Sequence, residues 1–159
     1  MAKQVLRYDY DVLSADGTDN LTQTIMDLLN SYPELAGVSD GHIAFSVLEL
    51  TKGIGMFPSS SVAVLNETED VTGHVEQLCA YGFTVVFRTR SAAKERVKEW
   101  LDNLGRWLEQ TTYPVLDGDK VFKQIKRTTQ SYRYATTEDK AEDWAISLQA
   151  TYTNEFDRR

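Results

Sequence analysis

The first clear periodicity along the chain is helical. Leu21, Ile25, Leu28, Leu29 and Tyr32 repeat at the i, i+4, i+7, i+8, i+11 spacing of one helical face. Residues 14–20 form a polar breaker with several N-cap residues ahead of it. Pro33 closes it, because the residue before a proline disfavours helical backbone. The spacing predicts a helix of about three turns. Upstream, Leu6, Tyr8, Tyr10 and Val12 alternate with Arg7, Asp9 and Asp11, which predicts a strand or extended arm.

Residues 42–50 place Ile43, Phe45 and Val47 on alternate positions and predict a strand. Residues 51–61 hold Gly53, Gly55, Pro58 and three serines around Ile54, Met56 and Phe57. They read as a loop carrying apolar side chains, which makes Ile54, Met56 and Phe57 candidates for a subunit interface. A short strand at 61–66 leads into an acidic connection over 67–74. The strongest strand is 81–90, with Tyr81, Phe83, Val85 and Phe87 on one face and Thr84, Val86, Arg88 and Arg90 on the other. Ser91 then offers an N-cap to a helix whose Val97, Leu101, Leu104 and Leu108 stripe runs to about Gln110. At ~1.5 Å per residue it is about 30 Å long.

The last third reads as a long hairpin of residues 121–136 and 144–153, joined through 138–142. The order helix, strand, strand, strand, helix, strand, strand predicts an α+β fold with two helices packed on a mainly antiparallel sheet. No repeat, linker or low-complexity tract divides it, so residues 1–159 are expected to form a single domain, with 1–17 as an N-terminal arm or edge strand.

The composition, 42% hydrophobic and 26% charged, is that of an ordinary globular domain and excludes disorder, collagen and coiled coil. Net charge is −7, unevenly spread: residues 1–80 carry 12 acidic and 3 basic side chains, residues 81–159 carry 12 acidic and 14 basic. A lone Cys79 allows no intrachain disulfide and fits a reducing cytoplasm. The N-terminus lacks the apolar core of a signal peptide, and no run approaches the ~20 residues of a membrane span.

Candidate chemistry is sparse. Gly53-Ile54-Gly55 lacks the third glycine of a dinucleotide fingerprint, and no Gly-Lys-Ser or Gly-Lys-Thr occurs. His42, His74 and Cys79, with Asp40, are the metal candidates, but their spacing matches no ligand motif; surface histidines and a buried thiol account for them better. Cys79 or Ser46 as nucleophile would need a positioned base, and no motif supplies one. The carboxylates of Glu67, Glu69 and Asp70, and of Glu138, Asp139, Glu142 and Asp143, fall in exposed connections. The expectation is a non-enzyme without cofactor or metal.

Lys120, Lys123, Lys126, Arg127 and Arg133 form a basic group. In a chain of pI about 4.8, an acidic protein is the better counterpart than nucleic acid. Trp100 and Trp107 lie seven apart, about 40° off the apolar stripe of the second helix. They either widen its core face or anchor a subunit interface.

The runs Pro58-Ser59-Ser60-Ser61-Val62-Ala63-Val64-Leu65, Tyr81-Gly82-Phe83-Thr84-Val85-Val86-Phe87-Arg88, Ser91-Ala92-Ala93-Lys94 and Trp100-Leu101-Asp102-Asn103-Leu104-Gly105-Arg106-Trp107-Leu108 carry a family resemblance. Over roughly residues 20–153 the chain resembles the phage minor capsid proteins that act as tail terminators in long, flexible-tailed phages. The resemblance implies a structural virion protein of the tail-neck region, made in the host cytoplasm. It implies a homohexameric ring on the tail tube that ends tube growth and meets a head connector or head-completion protein. DNA would pass through without specific binding, and no membrane is involved. The alternatives are another neck or head-completion component, or a small enzyme or ligand-binding module whose site comes together only in three dimensions. Within that picture Ile54, Met56, Phe57, Trp100, Trp107, Lys123, Lys126 and Arg127 are the expected interface residues, and Glu67, Glu69 and Asp70 the expected lining of the bore.

Overall fold

The computed structural model describes residues 21–38, 41–49, 52–90, 94–116 and 120–158. The arm expected over 6–12, the breaker at 14–20, Asp40 and the Ser91 cap lie outside the described residues. Helix α1 (Leu21–Leu29) buries Leu21, Thr24, Ile25, Met26, Leu28 and Leu29. Asn30 follows it and pins it to the sheet. Its amide donates to the Met26 and Ile43 carbonyls at 3.0 and 3.1 Å, and its Oδ1 accepts from the Ile43 N–H at 2.7 Å.

Among the described residues the sheet has seven strands: β1 (Ile43–Phe45), β2 (Gly53–Ser59), β3 (Val64–Glu69), β4 (His74–Thr89), β5 (Val121–Arg127), β6 (Tyr132–Thr136) and β7 (Glu142–Asp157). Helix α2 (Lys94–Gln110) connects β4 to β5. The axis of the sheet is an antiparallel ribbon of β4 and β7, paired from His74↔Asp157 to Thr89↔Glu142. At ~3.3 Å per residue these 16-residue strands are about 50 Å long. Each flank is shared by two shorter strands. On the β4 side β2 pairs with residues 82–88 and β3 with 75–79. On the β7 side β6 pairs with 142–145 and β5 with 148–153. Among the described residues only β1 is parallel to its neighbour, β2. The architecture is the expected α+β arrangement of two helices on a mostly antiparallel sheet.

Glu142 and Asp143, expected in an exposed connection, stand at the start of β7, with Asp143 buried. Three further expectations need correction. Residues 51–61 are not a loop: they contain β2, with Ile54 and Met56 facing the core. The glycines that suggested a breaker serve the strand instead: Gly53 takes a φ of 121°, and Gly55 allows a close approach. A Cβ on Gly55 would stand 2.6 Å from the Val47 carbonyl oxygen, where residues 47–49 fold back over the sheet after Ser46 turns at φ 54°. That turn also cuts the strand expected over 42–50 to three residues. Second, the strand expected at 61–66 is β3, displaced to Val64–Glu69, so Glu67 and Glu69 stand on a strand and not in a connection. Third, residues 121–136 are split into β5 and β6. The Asp102 carboxylate of α2 accepts from the Ser131 N–H at 3.0 Å and the Ser131 hydroxyl donates to the Lys98 carbonyl, drawing the chain off the ladder between them.

Both helices lie on the face that carries Phe83, Val85, Ile146 and Leu148, which with Ile25, Leu29, Leu101, Leu104 and Leu108 form the core. Gly105 lets α2 approach the sheet: a Cβ there would meet the Arg127 stem at 2.7 Å and Ile146 at 2.9 Å. The opposite face is small and polar. Thr84 and Ser147 share a hydroxyl hydrogen bond of 3.0 Å. Arg88 grips Asp143 through two bonds of 2.7 and 2.8 Å and donates to the Glu49 carbonyl, so the buried carboxylate is paired at both oxygens.

Candidate assembly surface

Beyond the helices the ribbon runs on as an outer end made of β3, residues 74–79 of β4, residues 152–157 of β7 and the start of β5. All six β3 residues are exposed, as are residues 155–157 of β7. Val75 and Cys79 are buried, and around them ion pairs tie the exposed positions together. Arg158 donates to Glu69 at 3.0 Å and to Glu67 at 3.4 Å, and its backbone N–H meets the Gly73 carbonyl at 2.7 Å. Asp70 organises the β3–β4 turn: one of its oxygens accepts from the Thr72 hydroxyl and N–H and from the His74 N–H. Those bonds, the Thr72 hydroxyl first, hold its carboxyl below the usual range. His74 Nδ1 lies 2.8 Å from Asp157, and that hydrogen bond, more than the neighbouring acidic charge, raises its pKa.

The structure separates the anticipated interface residues by what they already touch. Ile54 and Met56, at 2% and 0% exposure, are core residues and offer nothing to another chain. Trp100 and Trp107 widen the core face: the Tyr32 ring packs between them with centroids 5.4 and 5.2 Å away, and Trp100 meets Phe87 edge-on at 5.3 Å. Arg127 is engaged within the chain, donating to Glu109 from Nε, Nη2 and its backbone N–H at 3.1, 3.1 and 3.0 Å. Burial of Glu109 opposes ionisation, but these bonds outweigh it and lower its pKa. Phe57 is half-buried on the helix-free face, while Lys123 and Lys126 are exposed on β5. Strand alternation also divides the basic group. Lys126 stands opposite Gln149 on the helix-free face, whereas Arg127 and Arg133 stand opposite Leu148 and Trp144 on the helix face. Alternation thus removes the single basic surface that a DNA-binding reading required.

Sequence reasoning missed the exposed apolar side chains of the sheet margins: Phe45 of β1, Val64 and Leu65 of β3, Val121 of β5, Tyr132 and Tyr134 of β6, and Phe156 of β7. Alternation was the available signal, since Val64 and Leu65 are adjacent apolar residues and one must face outward whatever the register. His74 and Cys79 do not converge either. Five residues apart on one strand they point to opposite faces, and His42 lies at the far end of the sheet. Among the described residues no helix is long and apolar enough to cross a membrane.

No protein-family model matches the chain, and no curated protein does. Among solved structures, the fold is similar to a chain in the virion of a native gene transfer agent particle, with a TM-score of 0.60 and 12% identity over 84% of this chain and 95% of that one.

Proposed function

We propose that this chain is a structural protein of a phage-like virion, and specifically a tail terminator that forms a ring on the end of the tail tube and stops its polymerisation. The observation that carries the reading is the fold likeness to a virion chain over 95% of that chain's length. It is supported by the resemblance of residues 20–153 to tail terminators and by exposed apolar side chains concentrated on edge strands. A ring built head to tail needs two different complementary patches on each subunit. The apolar β3 residues Val64 and Leu65 on one edge, and Lys123 and Lys126 on the β5 edge, are the proposed pair of patches, and Phe57 on the helix-free face is proposed as a further contact. Glu67, Glu69 and Asp70 are proposed to line the bore, where negative charge repels passing DNA and does not grip it.

The partners in this reading are copies of the chain itself, the tail tube protein and a head connector or head-completion protein. No reaction or cofactor is assigned. Electron microscopy of particles made without this protein tests it: the expected outcome is tubes of uncontrolled length unattached to heads. Tails of normal length beside leaking heads would overturn the terminator role in favour of head completion. Neutralising Glu67, Glu69 and Asp70 together should alter DNA ejection, and unchanged ejection removes them from the bore.

A further inference from the structure

Independently of the ring reading, we propose that the outer end of the β4–β7 ribbon is a divalent transition-metal site, with His74, Glu76 and Glu155 as ligands and zinc as the ion that this donor set fits. The register places the four side chains involved as a two-by-two patch on one face. His74 stands opposite Asp157, and two residues along, Glu76 stands opposite Glu155. One ligand atom from each of His74, Glu76 and Glu155 lies within 4.8 Å of the other two.

The imidazole is held as a metal ligand would be. A carboxylate can only accept, so the 2.8 Å contact of Nδ1 with Asp157 requires the proton on Nδ1. In the neutral ring this leaves the lone pair on Nε2, which points toward Glu155 with Nε2 and Oε1 3.8 Å apart. Bonds of about 2.0–2.2 Å in a tetrahedral zinc site put neighbouring ligand atoms about 3.3–3.5 Å apart, so a side-chain adjustment of about half an ångström closes the pair onto one ion. Asp157 supplies the outer carboxylate that commonly orients a metal-bound histidine.

A surface ion pair of protonated His74 accounts for Asp157 at 2.8 Å and for Glu155 at 3.8 Å, but gives Glu76 no counter-charge. Glu76 and Glu155 are like charges directly opposite one another, an arrangement that destabilises a sheet unless something neutralises it. Arg158, the nearby cation, is engaged by Glu67 and Glu69. A shallow cavity of about 180 Å³, lined by Thr68, Glu69, Asp70, His74 and Glu76, opens beside the cluster and has room for the water of a fourth position. An imidazole with two carboxylates favours a first-row transition ion over calcium or magnesium, which prefer all-oxygen sites.

The test uses the full chain without an affinity tag, stripped of metal, and titrated with Co²⁺ by visible absorption and with Zn²⁺ by calorimetry. We expect saturable binding of one ion per chain and visible bands of a four-coordinate Co²⁺ site. His74→Ala should abolish it, Glu76→Gln and Glu155→Gln should each weaken it, and Asp157→Asn should cost about tenfold. His42→Ala and Cys79→Ser should bind as the unaltered chain does. Absence of saturable binding overturns the site, as does binding that survives His74→Ala or is lost with His42→Ala. If circular dichroism shows His74→Ala to be unfolded, the two glutamine variants decide: unchanged affinity in both overturns the proposal, and weakened affinity in both upholds it.

Discussion

Within β4, residues 82–88 and residues 74–79 sit in equivalent antiparallel ladders, each with β7 on one side and a shorter strand on the other. The first stretch sends Phe83, Val85 and Phe87 into the core beneath the two helices. The second buries only Val75 and Cys79, is flanked by a β3 with no buried residue, and is tied by Arg158, Asp70 and His74. The backbone pairing is alike, so the difference in stability comes from side chains. Full burial of a large apolar residue contributes about 1.5–3 kcal/mol, whereas an exposed ion pair contributes about 0–1 kcal/mol. A sheet can therefore extend past its core at little net gain, and the extension is then available for contact with other chains.

The sharpest way to break this comparison is a matched pair of truncations. Phe83→Ala should cost about 3–5 kcal/mol in chemical denaturation, whereas Leu65→Ala on β3 should change stability by less than about 0.5 kcal/mol. Equal losses would show that the outer end is integral to the core. Next in size is the buried pair on the helix-free face. Asp143→Ala leaves the Arg88 guanidinium without its carboxylate and should cost about 3 kcal/mol. Removing Arg88 as well should recover part of that loss.

A smaller effect is expected at Asp102. Burial disfavours its charge, but hydrogen bonds from Ser131 and Lys98 outweigh burial and lower its pKa in the folded chain. A lowered folded pKa means stability that is present above the unfolded value and lost as pH falls through the folded one. Asp102→Asn should therefore cost about 1 kcal/mol at neutral pH, and the difference from the unaltered chain should shrink below about pH 4. Stability curves at pH 7 and pH 3 check this; a constant difference would contradict it. The smallest effect on stability belongs to Lys123→Glu combined with Lys126→Glu, within about 0.5 kcal/mol. On the ring reading the same double variant should lose assembly by analytical ultracentrifugation in the presence of tubes. Folded protein that still assembles would remove β5 from the interface.

The helices, the Phe83 strand and the α+β class were legible in the sequence because each is written in strong periodicity: the Val97, Leu101, Leu104, Leu108 stripe and the Tyr81, Phe83, Val85, Phe87 alternation survive as drawn. The outer end was not. In residues 74–80 Val75 and Cys79 are buried on one face, but the polar Gln77 stands between them and interrupts the alternation that marks a strand. Gly53 and Gly55 misled for a related reason. Gly53 takes a φ of 121° and Gly55 marks close backbone approach inside a sheet, roles that short-range pattern cannot distinguish from a loop. Of the expected interface residues, Lys123 and Lys126 are exposed, but Ile54, Met56, Trp100 and Arg127 have partners within the chain that only tertiary contact reveals.

The β4–β7 ribbon also sets an order of events during synthesis. Its nearest pair, Thr89 and Glu142, is separated by 53 positions, and its furthest, His74 and Asp157, by 83. At about 5–20 residues per second, a ribosome finishes β4 roughly 3–10 s before the start of β7 is made. Throughout that interval Phe83, Val85 and Phe87 lack the strand that closes their ladder, and β2 and β3 can pair along only one side of it. Such non-local pairing slows folding and leaves an unpaired, apolar strand open to copies of itself. Growth at lower temperature, which slows collisions between nascent chains, should raise the yield of soluble protein more than any change to the exposed outer end.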